Sequence, residues 1–144
     1  MVHVPYKGTP PALIDLMANR VQLMLAGAPP TLPHIRNGKL RAIGVTTMKR
    51  NAALPDVPAF SETVPGYEAT TWYGYMVPAA TPKPVIARLN RDIRNALEAP
   101  TVKKVLADAG FEPDPSTPEE FSRYIRAEIE KWRKVIKAAG VTGN

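Results

Sequence analysis

The chain is 144 residues long, 44% hydrophobic and 22% charged, with no cysteine and a formal net charge of +6. That length suffices for one domain with a core of its own, and the composition is that of an ordinary globular protein. The missing cysteine excludes disulfides, thiolate metal sites and a cysteine nucleophile, and no apolar run approaches the roughly 20 residues a helix needs to cross a bilayer.

The first residues, MVHVPYKGTPP, lack the charged-then-apolar pattern of a secretion signal. Val2, Val4 and Tyr6 alternate with His3 and Pro5 ahead of Gly8, which predicts a short strand. Thr9 is placed to cap a helix, with Pro10 or Pro11 in its first turn, where a missing N–H costs nothing. Leu13, Ile14, Leu16 and Met17 give that helix an apolar face, and Asn19 is suited to end it in the left-handed conformation. The run VQLMLA, from Val21 to Ala26, reads as a strand buried on both faces. After Gly27-Ala28-Pro29-Pro30, Thr31 and Pro33 open a short helix that closes around Gly38, and LRAIGVT, residues 40–46, is a third strand. The order is β-α-β-α-β, for which a parallel sheet with right-handed crossovers is the default.

Residues 49–68 hold three prolines and little periodicity, an irregular connection. Residues 69–78, ATTWYGYMVP, are rich in β-branched and aromatic side chains and read as a strand that puts Trp72 on the opposite face from Tyr73 and Tyr75. Three helices follow. The first is capped by Thr81, starts at Pro82 and carries Val85, Ile86, Leu89, Ile93 and Leu97. The second runs from Pro100 to Gly110. The third opens on a capping box, Thr117 with Glu120, carries an apolar stripe that includes Phe121, Ile125, Ile129, Trp132 and Ile136, and ends at Gly140. These last helices have wide apolar faces and few strands of their own to cover.

In open α/β sheets ligands sit beyond the carboxyl ends of the strands. Three turns qualify: Tyr6 to Thr9, Ala26 to Pro30, and Thr46 to Met48. The first joins Lys7 and Gly8 to a helix start. It is not a Walker loop, because the lysine stands ahead of the glycine and two prolines remove N–H groups. A small-anion site and a plain turn both remain open. His3 and His34 match no metal motif, Ser61 and Ser116 lack a nucleophile-elbow context, and the carboxylates near the C-terminus share a charged helix face with lysines and arginines. The basic residues are scattered: residues 1–60 carry +5, residues 61–100 sum to zero and residues 101–144 to +1. That arrangement disfavours nucleic acid and suits small anions.

In order along the chain, HVPYKGTPPALIDL, VQLMLAGAP, LPHIRNGKLRAIGVTT, LPDVPAFSETVPGYEATTWYGYMVPAATPKP and STPEEFSRYIRAEIEKWRKVIKAAG closely resemble the Bug family, the substrate-binding proteins of tripartite tricarboxylate transporters. The resemblance covers residues 2–141 and implies an α/β, periplasmic-binding-protein type 2-like fold, present only as its C-terminal half. On that basis residues 1–68 would belong to the second ligand-binding lobe. Residues 69–144 would supply the return strand and the C-terminal helices of the first lobe, whose sheet is missing.

The resemblance also implies a function: an extracytoplasmic, periplasmic receptor for small carboxylates that works with membrane transporter subunits, without enzyme activity and without a cofactor. Tyr6, Lys7, Gly8 and Thr9 match its first retained loop, Gly27 and Ala28 a second turn, and Trp72 the aromatic of the return strand. These seven are the expected ligand-binding residues. Two alternatives stand beside this reading: a standalone α/β anion-binding domain or small enzyme using the Tyr6–Thr9 turn, and an oligomeric interaction module. Each side chain of the C-terminal stripe gains about 1.5–3 kcal/mol on burial. With the first lobe missing, a homo-oligomer that exchanges strand and helices between copies is expected.

Overall fold

The structure, a computed structural model, describes residues 1–141. Among them are five α-helices: α1 (Thr9–Met17), α2 (Ala28–Arg36), α3 (Lys83–Glu98), α4 (Pro100–Asp108) and α5 (Pro118–Ala139), with one 3-10 turn at Phe60–Glu62. The chain divides into two compact units. One comprises Met1–Met76 with Pro100–Glu112; the other comprises Val77–Ala99 with Pro113–Asn144, of which residues to 141 are described.

The first unit is built on α1 and α2, which pack against each other. Ala12 and Leu13 of α1, Leu32 of α2 and Ala59 form its buried apolar centre. α4 joins this unit through its end. Gly110 adopts a φ of +81°, and a Cβ there would meet the Cβ of Ala28 at 2.9 Å, so the chain leaves α4 directly over α2. Arg36 donates to the carbonyl of Asp108 at 3.1 Å. Asn51, buried, donates to the carbonyl of Gly110 and to the Glu112 carboxylate at 3.4 and 3.1 Å and accepts from the amide of Ala53 at 2.9 Å. The connection through residues 49–62 is fixed by a two-pronged pair: Arg50 donates from Nε and Nη2 to the two carboxylate oxygens of Glu62, each at 2.8 Å. Irregular backbone is tolerable here because side chains supply the bonds that a regular element would.

The second unit contains α3 and α5. Thr117 and Glu120 form the expected capping box: Thr117 Oγ1 accepts from the amide of Glu120 at 3.2 Å, and the Glu120 carboxylate accepts from the amide of Thr117 at 2.8 Å. Gly140 ends α5 in the left-handed conformation, φ 63°. Asn90 of α3 donates to the carbonyl of Ser116 just ahead of α5, at 2.9 Å. Ile86, Ile93 and Leu97 are half-buried, whereas Val85 and Leu89 of the same stripe stay exposed.

The structure corrects several local expectations. Among the described residues none of the segments 2–6, 21–26, 40–46 and 69–78 forms a strand. Val45, in the third of these, makes a single parallel bridge to Ala59 of the irregular connection, flanked by Val45 N–H to Pro58 O at 2.9 Å and Phe60 N–H to Val45 O at 3.0 Å. A strand's hydrogen bonds are made to another strand, and the pattern of one segment cannot supply its neighbour. α1 is capped by Gly8, not Thr9, because the chain reverses at φ 112°, ψ 174°, a conformation almost exclusive to glycine. α2 begins at Ala28, three residues before Thr31, since prolines in a first turn lose no helical bond. α3 begins at Lys83 with Pro82 as its cap, so Thr81 lies outside it.

Candidate functional site

The seven expected ligand-binding residues all fall in the first unit, at three places. Tyr6, Lys7, Gly8 and Thr9 form the entry to α1, and Gly27 and Ala28 the entry to α2. Since α1 and α2 pack together, both turns sit at the starts of neighbouring helices. Trp72 lies in the extended segment 69–78. It is half-buried while Tyr73 and Tyr75 are 75% and 76% exposed, which fits the expected alternation of faces. Tyr73 packs edge-on against Phe111, with ring centroids 5.6 Å apart.

At the α1 entry, Lys7 and Gly8 are exposed and Tyr6 and Thr9 half-buried. Gly8 is open on the side a Cβ would occupy: its nearest neighbour there is Pro10 Cδ at 3.8 Å. Pro10 and Pro11 carry no N–H, so Gly8 and Thr9 are the backbone donors this turn can direct outward, and the helix's positive end lies behind them. The Lys7 ammonium adds a positive charge on a flexible stem. At the α2 entry, Thr31 Oγ1 donates back to the carbonyls of Gly27 and Ala28 at 3.0 and 3.1 Å, which holds the turn from its helix side.

Sequence reasoning missed one residue here. Asp15, two turns into α1, accepts the Tyr6 hydroxyl proton on Oδ2 at 2.8 Å and the Arg20 guanidinium on Oδ1 at 3.0 Å. The hydrogen bond from Tyr6 is the main reason that the Asp15 carboxyl is held below the usual carboxylate range; Arg20 adds to it, and burial opposes both. The same Tyr6 bond, followed by burial, raises the Tyr6 phenol. Tyr6 therefore has only lone pairs left for a ligand, and recognition of a carboxylate at this turn falls to Lys7 and the backbone. In the sequence Asp15 shows only as one of two acidic residues in a basic stretch; its reach to Tyr6 depends on how the chain folds back at Gly8.

His3 is exposed and His34 half-buried. Among the described residues no group of three or more histidines or carboxylates is arranged to hold a metal ion, and no helix is long and apolar enough to cross a membrane.

A family model described as the tripartite tricarboxylate transporter family receptor, TctC, matches residues 1–141. A UPF0065 protein from the tcbD-tcbE intergenic region of Pseudomonas sp. strain P51 is 38% identical over 138 residues, 94% of this chain and 41% of that protein. One from the clcB-clcD intergenic region of Pseudomonas knackmussii is 34% identical over 94% of this chain and 82% of its own length. Among solved structures, R. palustris Rpa4515 with adipate superposes with a TM-score of 0.88 at 36% identity, over 96% of this chain and 47% of that one. The periplasmic binding protein BugD gives 0.85 at 33% identity, and MatC from Rhodopseudomonas palustris with bound malate 0.79 at 33%. The chain thus has the periplasmic-binding-protein fold expected of it, as a partial domain spanning under half the length of these solved relatives.

Proposed function

Because this chain belongs to the tripartite tricarboxylate transporter receptor family, we propose that it serves as part of a periplasmic solute-binding receptor for small dicarboxylates, delivering them to transporter subunits in the membrane and catalysing nothing. The observation that carries the ligand class is that two structures similar over more than nine-tenths of the chain are described with adipate and with malate, both dicarboxylates. The local chemistry agrees with it. A carboxylate is met by the Gly8 and Thr9 amides and the Lys7 ammonium at one turn and by the Gly27–Ala28 entry of α2 at another, with Trp72 as an apolar wall. In this reading residues 1–68 belong to one ligand-binding lobe, and residues 69–144 supply the extended return segment and the helices of the other. Copies of the chain associate with one another in this reading.

A cleft ligand draws its free energy from both lobes. Halving a micromolar affinity of about −8 kcal/mol leaves a dissociation constant in the millimolar range. Titration of the chain with adipate and with malate, followed by amide chemical shifts, is the test. Millimolar affinity with shifts concentrated at Lys7, Gly8, Thr9, Gly27 and Ala28 is the expected result. Micromolar binding would contradict the half-site, and shifts elsewhere would contradict the residues.

A further inference from the structure

The turn that carries Lys7 and Gly8 is held from one place. Among the described residues the backbone of residues 1–7 makes no hydrogen bond. The bond that ties this stretch to the chain behind it runs from the Tyr6 hydroxyl to Asp15 Oδ2, at 2.8 Å. Gly8 reverses the chain at φ 112°, so the phenol reaches back along α1 to its last turn. Asp15 is itself set from behind. Asn19 takes the left-handed conformation, φ 58°, and brings Arg20 back over the helix end. The Arg20 amide donates to the Asp15 carbonyl at 2.9 Å, and its guanidinium donates to Oδ1 at 3.0 Å. Side-chain exposure falls from 72% at Arg20 to 24% at Asp15. Arg20, Asp15 and Tyr6 thus form a line of contacts from the end of α1 to the turn at its start.

We propose that Asp15 is a positioning residue for ligand binding: backed by Arg20, it braces Tyr6 so that the Lys7–Thr9 backbone is fixed in one arrangement before a carboxylate arrives. This role rests on the carboxylate reading of the turn given above. An acid so near an anion-binding turn is otherwise a liability. Asp15 stands about 9 Å along the helix axis from Thr9, a distance comparable with the Debye length, so a bare charge there would repel an anion at the turn. Arg20 meets that charge at one carboxylate oxygen and leaves the other to hold Tyr6. Bracing the turn in advance removes an ordering cost that binding would otherwise carry. Loss of Asp15 therefore has two opposite effects on an anion, less repulsion and a slack turn, and the brace requires the second to win.

Backbone order without ligand is the first test, measured by nitrogen-15 relaxation on the full 144-residue chain. Lys7, Gly8 and Thr9 should have order parameters of about 0.85 in the parent and below about 0.6 in Asp15→Ala and in Tyr6→Phe. Unchanged order in both variants overturns the brace. Titration with malate and with adipate, read from the same amides, is the second test. Each variant should bind roughly three- to tenfold more weakly than the parent, and the double variant no more weakly than either. Removal of a negative charge alone would tighten anion binding, and a purely structural loss would leave the affinity of the folded molecules unchanged. Tighter or equal binding therefore overturns the role, as does additive loss in the double variant. Tyr6→Phe deletes a single oxygen and decides the matter if Asp15→Ala fails to fold. Arg20→Gln should bind more weakly at low salt, with the deficit closing as salt is raised; a deficit insensitive to salt overturns the part given to Arg20. A parent that responds to neither acid overturns the carboxylate reading itself, and the order parameters then decide separately whether Asp15 holds the turn.

Discussion

The hydroxyl of Tyr6 donates to Oδ2 of Asp15 across 2.8 Å, so the residue that opens the expected ligand turn is tied to the last turn of the helix that follows it. The bond makes stability depend on pH at both ends of the range. The Asp15 carboxyl is depressed in the folded chain. Its contribution is therefore present above the unfolded carboxylate pKa and is lost as pH falls through the folded value. The Tyr6 phenol is raised, so its contribution is present below the unfolded phenol pKa and lost as pH climbs through the folded one. Asp15→Asn should move one tyrosine back toward the ordinary phenol range. Absorbance titration at alkaline pH, with Tyr6→Phe to identify the component, measures this; an unchanged titration would count against the bond.

Arg50 and Glu62 form an ion pair through two parallel hydrogen bonds, with a third reaching Glu62 from the amide of Ala59 at 2.9 Å. Principally through Arg50, then through that amide, the Glu62 carboxyl is lowered to about 2. A depressed carboxylate stabilises above its unfolded pKa, so stability should decline as pH drops from about 4.5 toward about 2. Glu62→Gln should lower stability at neutral pH and flatten that decline. Urea unfolding of both proteins at neutral pH and near pH 3 tests the claim: the gap between them should narrow in acid, and a constant gap would mean that the pair is not what titrates.

The two site glycines should behave oppositely. Gly8 sits at φ 112°, ψ 174°, and Gly27 at φ −63°, ψ 153°. Neither is crowded: a methyl added at either would meet nothing closer than a proline Cδ, at 3.8 and 3.7 Å. Space is thus equal and backbone conformation alone differs. Gly8→Ala should cost about 1–3 kcal/mol, while Gly27→Ala should stay within about 0.5 kcal/mol of the parent. Equal losses in thermal or chemical unfolding would show that the Gly8 turn relaxes.

At the start of α5, Thr117→Ala removes the acceptor for the Glu120 amide and should destabilise by about 1 kcal/mol. Thr117→Ser keeps the oxygen and should recover most of the loss. If the two variants unfold alike, the threonine methyl rather than the cap is what matters.

How much of the fold and the site is legible in the sequence depends on how far each signal reaches along the chain. α5 is readable at both ends because a capping box and a terminal left-handed glycine are each contained within four or five residues. Asn19 is readable for the same reason, and it does take a positive φ of 58°. α2 reads too short because Ala28-Pro29-Pro30 has the look of a break, although prolines cost little in a first turn. The strands fail for a different reason. VQLMLA and ATTWYGYMVP carry strand composition, yet composition does not provide the neighbour whose amides and carbonyls would pair with them. Asp15 is invisible as a partner of Tyr6, since that contact exists only once Gly8 has reversed the chain.

The caps of α5 also bear on time. Helix nucleation is the slow, unfavourable step, and a segment with fixed start and stop signals and internal ties such as Glu128 to Trp132 lowers that barrier from within its own sequence. Contacts that close within one helix form in about a microsecond or less, well before the long connections through Asn51 to Gly110 are made. Local ties of this kind make α5 the element whose structure depends least on the rest of the chain.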